Sequence, residues 1–159
     1  MTEQTPLTDR GFVPTDEDTA ELLAWFADYD ALAARGDVEA MADTAFFPIT
    51  VVTNDSTGEG VTQQWDRETF VRSMRAAMDG ELSDLRMENR RRPTFLNRDL
   101  AVVVTDSTVT AGGQVQHLRY ADVMVRSAGA WRFTSMIQAG WGDMLTQDAA
   151  RPLAQSKES

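Results

Sequence analysis

Four long extended segments fill the second half of the sequence, and they limit the possible folds more than any other feature. They cover residues 84–97, 99–111, 114–127 and 130–141, with short breaks at NRD, AGG and SAGA. Breaks of this length join antiparallel neighbours, so the segments predict a four-stranded antiparallel meander. In the first segment, the stretch DGELSDLRMENRRR is also compatible with the start of a helix.

The first half of the sequence has helical periodicity. Thr15 can cap a helix with Asp18 three residues later, and Gly36 is a typical C-terminal stop. DVEAMADT predicts a short second helix, and Pro48 prevents any continuation. Between the two ends of the first helix, apolar side chains recur at helical spacing: Leu22, Trp25, Phe26, Tyr29, Leu32 and Ala33.

A strand, a turn and a third helix connect the two halves. ITVVTND predicts a strand over 49–55, DSTGEG a turn and VTQQW a short returning strand. Asp66 can cap a helix over 67–79. One face of that helix is apolar: Phe70, Val71, Met74 and Met78. The order predicts an α+β fold with the helices packed on one face of a curved sheet.

Length and composition are typical of one soluble domain. The chain has 159 residues, of which 42% are hydrophobic and 25% are charged. We expect a loose N-terminal leader over 1–13, a single domain over 14–145 and a polar C-terminal tail over 146–159. The sequence has neither a membrane-length apolar run nor a secretory signal pattern, so we expect a cytoplasmic location.

Charge and rare residue types exclude several functions. A net charge of −10 opposes binding to nucleic acid or to anionic membranes. With no cysteine and one histidine, we expect no metal site, and without a glycine-rich phosphate loop we expect no cofactor. The run Arg90–Arg92 predicts a solvated or interface part of a strand, with a local anion site as the alternative.

Asp122 is an acidic residue inside the strand-like run HLRYADVMV. Strand alternation puts it on one face with Leu118, Tyr120 and Met124, whereas His117 belongs to the other face. A buried carboxylate costs several kcal/mol, roughly, unless it is paired, hydrogen-bonded or protonated. The face is therefore solvated, or the acid has a partner, or it lines a cavity.

Several stretches of the chain resemble the nuclear transport factor 2-like superfamily, in particular its SnoaL-like and ketosteroid-isomerase-like branch. The resemblance covers residues 16–141 and is carried by AARGDVEAM, FFPITVVTND, RYADVMVRSAGAWRFTSMI and their spacing. It implies a cone-shaped α+β barrel, in which a curved, mostly antiparallel sheet wraps around the long first helix and a pocket opens at one end. It also implies a homodimer through the outer sheet face.

The resemblance also implies roles for individual residues. Tyr29, eight residues before Asp37, and Asp122 on the penultimate long strand match the pair that forms the family's oxyanion hole. For the family's base, spacing from the first helix indicates Thr53, while the end of the strand indicates Asn54 or Asp55. Among these three, Asp55 is the residue with a carboxylate.

Each of these residues also has a structural interpretation. Tyr29 can be a core tyrosine bonded to a backbone carbonyl, Asp122 can pair with Arg132 or another arginine, and Asp55 can be a turn residue. His117, the only histidine, is interpreted as a surface or interface residue.

Three functions follow from these observations. The first is a cofactor-independent isomerase, cyclase or dehydratase that transfers a proton next to the carbonyl of an apolar small molecule. The second is a noncatalytic binding module for an apolar ligand, and the third is a dimeric scaffold whose cone is filled by side chains. The side chains expected to contact a ligand are Trp25, Asn54, Leu118, Tyr120, Met124, Met136 and Trp141.

Overall fold

The computed structural model describes residues 11–78 and 86–145. The helices are α1 (Asp16–Ala34), α2 (Val38–Asp43) and α3 (Arg67–Met78), and a further helical turn spans 142–145. The strands are β1 (Ala45–Asn54), β2 (Gly60–Trp65), β3 (Arg86–Asn97), β4 (Leu100–Ala111), β5 (Gln114–Ser127) and β6 (Ala130–Gln138). The proposed tail 146–159 and most of the proposed leader lie outside the described residues.

The six strands form one curved, mostly antiparallel sheet in the order β2-β1-β6-β5-β4-β3. Strands β3 to β6 are the predicted antiparallel meander, and β1 joins it in parallel beside β6. Register shifts interrupt the ladders of β1 with β6, of β3 with β4 and of β5 with β6. Such irregularities bend strands, which allows the sheet to wrap around the helices in the predicted cone-shaped α+β barrel.

Helix α1 begins as predicted. The hydroxyl of Thr15 accepts a hydrogen bond from the Asp18 amide, and the Asp18 carboxylate accepts one from the Thr15 amide. This capping box fixes the first turn. Further along the helix, Leu22 and Phe26 are buried against the sheet, and each contributes about 2 kcal/mol of apolar burial. The helix therefore carries its inner side chains to a fixed place over the sheet.

Strand β1 is longer than predicted at its start. It begins at Ala45 instead of residue 49 and includes Pro48. Proline cannot donate to a ladder, and its position coincides with the shift between the Ala45 and Thr50 pairings to β6. The predicted short second helix is present, and it ends at Asp43, before the chain reaches Pro48.

The core lies between the helices and the concave sheet face. Its largest fully buried side chains include Leu22, Met41, Ile49, Phe70 and Met124. Among the described residues, no helix is long and apolar enough to cross a membrane.

Candidate active site

The inner face of β5 carries the acidic residue that the sequence singled out. Met124 is fully buried, Tyr120 and Asp122 are half-buried, and His117 is exposed on the other face. Asp122 lies between Val103 of β4 and Met136 of β6 in the sheet register. The alternation predicted from the sequence is thus present, and it turns Asp122 towards the helices.

Asp122 has an unusual protonation equilibrium. Burial raises the pKa of Asp122 to about 7, the Arg91 guanidinium opposes this, and the negative charge of Asp30 adds to it. Within the described part of the chain, no side chain donates a hydrogen bond to its carboxylate. Arg132, the partner considered from the sequence, donates instead to the backbone carbonyl of Asp43.

Tyr29 reaches the same region from α1. Its ring stacks on Trp25 at 5.4 Å between centroids and packs edge-on against Phe133 at 5.5 Å. Burial, followed by the nearby Asp122 carboxylate, raises the pKa of Tyr29 above its ordinary value. The phenol is therefore a protonated hydrogen-bond donor across the physiological pH range, and none of the described side chains accepts a hydrogen bond from its hydroxyl.

A buried ion pair between Arg91 and Asp30 lies in this region. The interpretation of the run Arg90–Arg92 from the sequence did not predict it. Arg91 turns inward and donates hydrogen bonds of 2.5 and 2.8 Å to Asp30, and its side chain is only 7% exposed. Its Nη2 also lies 3.3 Å from the hydroxyl of Tyr120, which accepts a third hydrogen bond. The interpretation of the whole run as solvated is wrong for Arg91, although Arg92 does pair on the exterior with Asp106.

The available signal for Arg91 was strand alternation. In β3, Arg91 shares its face with Pro93 and Phe95, which are less exposed than Arg90 and Arg92. The alternation argument that was used for Asp122 also applies to this strand. It would have placed Arg91 on a different face from Arg90 and Arg92.

The end of β1 does not place a carboxylate on the inner face. Thr53 is the buried residue there, and its hydroxyl accepts a hydrogen bond from the Trp141 amide. The side chain of Asn54 accepts one from the Gly140 amide. Asp55 follows the strand, and its carboxylate accepts hydrogen bonds from Thr57 and Glu59 within its own turn. Those bonds lower its pKa, which is the behaviour of a turn residue.

The side chains predicted to contact a ligand fall into two groups. Trp25, Leu118 and Tyr120 are partly exposed in the region of Tyr29 and Asp122, whereas Met124 is fully buried and Met136 packs against the core. At the end of β1, the structure places Asn54 and Trp141 together.

Clefts on two parts of the described surface are lined by charged side chains. One, of about 320 Å³, lies between α1 and β3 and is lined by Leu23, Ala27, Asp30, Asn89 and Arg91. The other, of about 600 Å³, is an exterior groove along α3 whose Arg67 and Arg75 pair with Glu39. The smaller cleft is lined by Asp30 and Arg91, the two charged residues that act on the pKa of Asp122. The described residues contain no cluster of three or more metal-ligating side chains.

Comparisons with known proteins agree with this geometry at the level of the fold. A family model described as a SnoaL-like domain matches residues 22–139. A protein of unknown function with a cystatin-like fold from Nostoc punctiforme shares 16% identity at a TM-score of 0.60, over 92% of this chain and 100% of its own. An NTF2-like protein of unknown function from Pseudomonas putida shares 11% identity at a TM-score of 0.64, over 79% of this chain and 87% of its own.

A candidate scytalone dehydratase from Novosphingobium aromaticivorans shares 13% identity at a TM-score of 0.56, over 76% of this chain and 81% of its own. No curated protein matches the sequence. At these identities the structural similarities establish the fold alone.

Proposed function

This chain belongs to the SnoaL-like domain family, and from that premise we propose that it is a cofactor-independent enzyme of the isomerase, cyclase or dehydratase type. Its substrate is an apolar small molecule that carries a carbonyl group. The observation that carries the proposal is the pairing of Asp122, whose pKa burial raises to about 7, with the protonated hydroxyl of Tyr29 on one inner surface. The family and the fold support this class of function without selecting a reaction.

The proposed step is a proton transfer next to the carbonyl. The Asp122 carboxylate accepts a proton from the adjacent carbon, and the electron pair of that C–H bond forms the double bond of an enolate. The Tyr29 hydroxyl donates a hydrogen bond to the carbonyl oxygen as that oxygen gains charge. Asp122 then returns the proton to another carbon, which completes an isomerisation, or to a departing hydroxyl, which completes a dehydration.

This assignment gives Asp122 the role for which the sequence offered Asp55. The turn hydrogen bonds of Asp55 stabilise its ionised form and hold its carboxylate in the turn. A group whose pKa lies near neutrality both accepts and returns a proton efficiently. Asp122 meets that requirement, and Asp55 does not.

A binding module for an apolar ligand is the second candidate. It is favoured by one observation, that the end of β1 supplies no second inward carboxylate. In this function Tyr29 and Asp122 hold a carbonyl oxygen, Asp122 as the protonated acid, and no bond is broken.

We further propose a homodimer through the outer sheet face. Apolar residues adjoin one another there in the register: Val102 opposite Val123, Val104 opposite Ala121, and Ile137 beside both Ala121 and Val52. Val52 is 39% exposed in the single chain. A continuous apolar area of this kind is typical of an interface core.

Hydrogen–deuterium exchange tests the enzyme without knowledge of the substrate. Cyclohexanone, 1-indanone and 2-tetralone are incubated with the protein in D₂O, and loss of the α-proton signal is followed by NMR. The expected result is faster exchange for at least one ketone, and its abolition in Asp122→Asn. Saturable binding without exchange would favour the binding module. Exchange that persists in Asp122→Asn would contradict the proposed role.

A further inference from the structure

A patch of unpartnered polar atoms lies on the inner face of β3 and β4. Within the described part of the chain, no hydrogen-bond partner exists for Oδ1 of Asn89, Nε of Arg91, Oγ1 of Thr105 or Oγ of Ser107. The register pairs Asn89 with Ser107 and Arg91 with Thr105, so the four atoms belong to adjacent residues. We call these four residues the polar niche.

The unpartnered atoms of the polar niche lower the stability of the folded protein. Thr105 is 0% and Ser107 is 1% exposed, so water does not satisfy their hydroxyls from the surface. Each unsatisfied buried polar group lowers the stability of the folded protein, because its hydrogen bonds to water are lost on folding and not replaced. On the same strand, positions 101 and 103 are occupied by the apolar residues Ala101 and Val103. Packing alone therefore does not explain two hydroxyls and an amide at this place, and a ligand that satisfies them does.

The charges and hydrogen-bonding groups of the niche favour a ligand group that is polar and uncharged. The positive charge of Arg91 is compensated by its two hydrogen bonds to Asp30. An anion would meet the Asp30 carboxylate beside the guanidinium. The remaining atoms are a donor at Arg91 Nε, an acceptor at Asn89 Oδ1, and two hydroxyls that both donate and accept. A ligand hydroxyl, which also donates and accepts, complements this set.

The cleft of about 320 Å³ between α1 and β3 gives a route to the niche. Asn89 and Arg91 form part of its lining, and Leu23 and Ala27 form an apolar wall. Leu23 is 38% exposed, so this wall is accessible. β3 is an edge strand, so it has a neighbouring strand on one side only.

We propose that the polar niche binds a hydroxyl group of an uncharged, partly apolar ligand, which enters through this cleft. The apolar part of the ligand packs against Leu23 and Ala27. The hydroxyl takes the hydrogen bonds that Thr105, Ser107 and Arg91 leave unmade. That this ligand is the substrate rests on the proposed function, whereas the binding of the hydroxyl does not.

Three matched probes test the niche: benzyl alcohol, toluene and benzoate. They share a ring and differ in carrying a neutral hydroxyl, no polar group or an anion. The Nε–H signal of Arg91 is followed by ¹H–¹⁵N NMR during each titration. We expect a saturable shift with benzyl alcohol, and at least fivefold weaker binding of toluene and of benzoate. Equal or tighter binding of benzoate, or no shift with benzyl alcohol, would overturn the proposal.

Two variants and one control complete the test. Thr105→Val and Ser107→Ala each remove a hydroxyl, and we expect each to weaken benzyl alcohol binding at least fivefold. The control Thr108→Val removes a hydroxyl from the opposite face of the same strand and leaves binding unchanged. Both niche variants should keep or raise the melting temperature, because an unsatisfied group is removed. Unchanged binding in both folded variants would refute the niche.

The proton-transfer proposal and the polar-niche proposal can fail independently of each other. Benzyl alcohol has no carbonyl, so it reports on the niche and not on enolate formation.

Discussion

The positive charge of Arg91 acts on both Asp30 and Asp122, but Arg91 forms its carboxylate hydrogen bonds with Asp30. The Asp30 carboxylate thereby compensates much of the positive charge of Arg91 that would otherwise hold Asp122 ionised. Burial remains the largest influence on Asp122, and its pKa rises to about 7. The ion pair therefore modifies the proton affinity of a residue to which it is not hydrogen-bonded.

Removal of the Asp30 charge tests this relationship. In Asp30→Asn we expect the pKa of Asp122 to fall, because one negative charge is lost and Arg91 is left uncompensated. Carbon-detected NMR of the Asp122 carboxyl measures the change. Asp28→Asn is the control, since Asp28 is an exposed acid on the same helix. An unchanged or higher pKa of Asp122 in Asp30→Asn would contradict this account.

Stability should depend on pH through Asp122. Its pKa in the folded protein, about 7, lies above the unfolded value of about 3.9, so the folded state holds a proton that the unfolded state has lost. The free energy of unfolding contributed by this group therefore falls as pH rises from about 4 to about 7 and is constant above that range. The full decrease is about 4 kcal/mol.

Urea unfolding at pH 5 and pH 8 measures that dependence. In Asp122→Asn we expect a smaller difference between the two pH values, because the amide does not titrate. The surface carboxylates, such as Asp106 with its lowered pKa, contribute equally to both proteins. The same pH dependence in both proteins would show that Asp122 titrates at an ordinary pKa.

Tyr29→Phe should separate catalysis from stability. Within residues 11–78 and 86–145, the Tyr29 hydroxyl has no hydrogen-bond partner to lose, and phenylalanine keeps the ring contacts with Trp25 and Phe133. We expect α-proton exchange to slow by roughly 10²–10³-fold, the usual effect of losing one oxyanion donor. The melting temperature should change by a few degrees at most. Full exchange activity in Tyr29→Phe would remove the hydroxyl from the mechanism.

Local patterns in the sequence predicted most of the fold. The capping box at Thr15, the breaks between the long strands and the alternation in β5 depend on neighbours along the chain, and all three are present. The start of β1 was missed because Ala45 joins the sheet through its pairing with Phe133, a contact distant in sequence. Propensity rules do not contain such pairings.

The site was predicted less completely for the same reason. Asp122 was proposed because it interrupts an apolar strand pattern, and Tyr29 because the family resemblance assigns a role to the residue eight positions before Asp37. Asp30 and Arg91 were missed because a charged residue on a helix or a strand is usually solvated. Their burial depends on the packing of α1 over β3, which brings two residues 61 positions apart into contact. The ambiguity over Thr53, Asn54 and Asp55 could be decided only by knowing where β1 ends.

The proposed dimer gives a separate prediction. Val104→Glu places a charge within the outer apolar row, at the position that pairs with Arg92 of β3 and with Ala121 of β5. We expect this variant to sediment as a monomer at micromolar concentration, where the unmodified protein sediments as a dimer. Val13→Glu, at an exposed position before α1 and outside the sheet, should leave the dimer intact. A monomeric unmodified protein would refute the interface.

Gly142 is the residue that allows the chain after β6 to close on the end of β1. A Cβ at this position would lie 2.6 Å from the Asp55 amide nitrogen and 2.7 Å from the Asn54 carbonyl oxygen. Both atoms belong to the backbone, so a side-chain rotation cannot relieve the contact. The same junction holds the hydrogen bonds from Trp141 to Thr53 and from Gly140 to Asn54, each 2.9 Å long.

We therefore expect Gly142→Ala to lower the free energy of unfolding by about 1–3 kcal/mol, as overpacking does elsewhere. Gly60→Ala is the matched control, because a Cβ at Gly60 meets nothing within 4 Å and its φ is not positive. Urea unfolding of the two variants measures the difference. Equal stability would mean that the junction yields without cost, in which case the buried position of Thr53 would not depend on the close approach of Gly142.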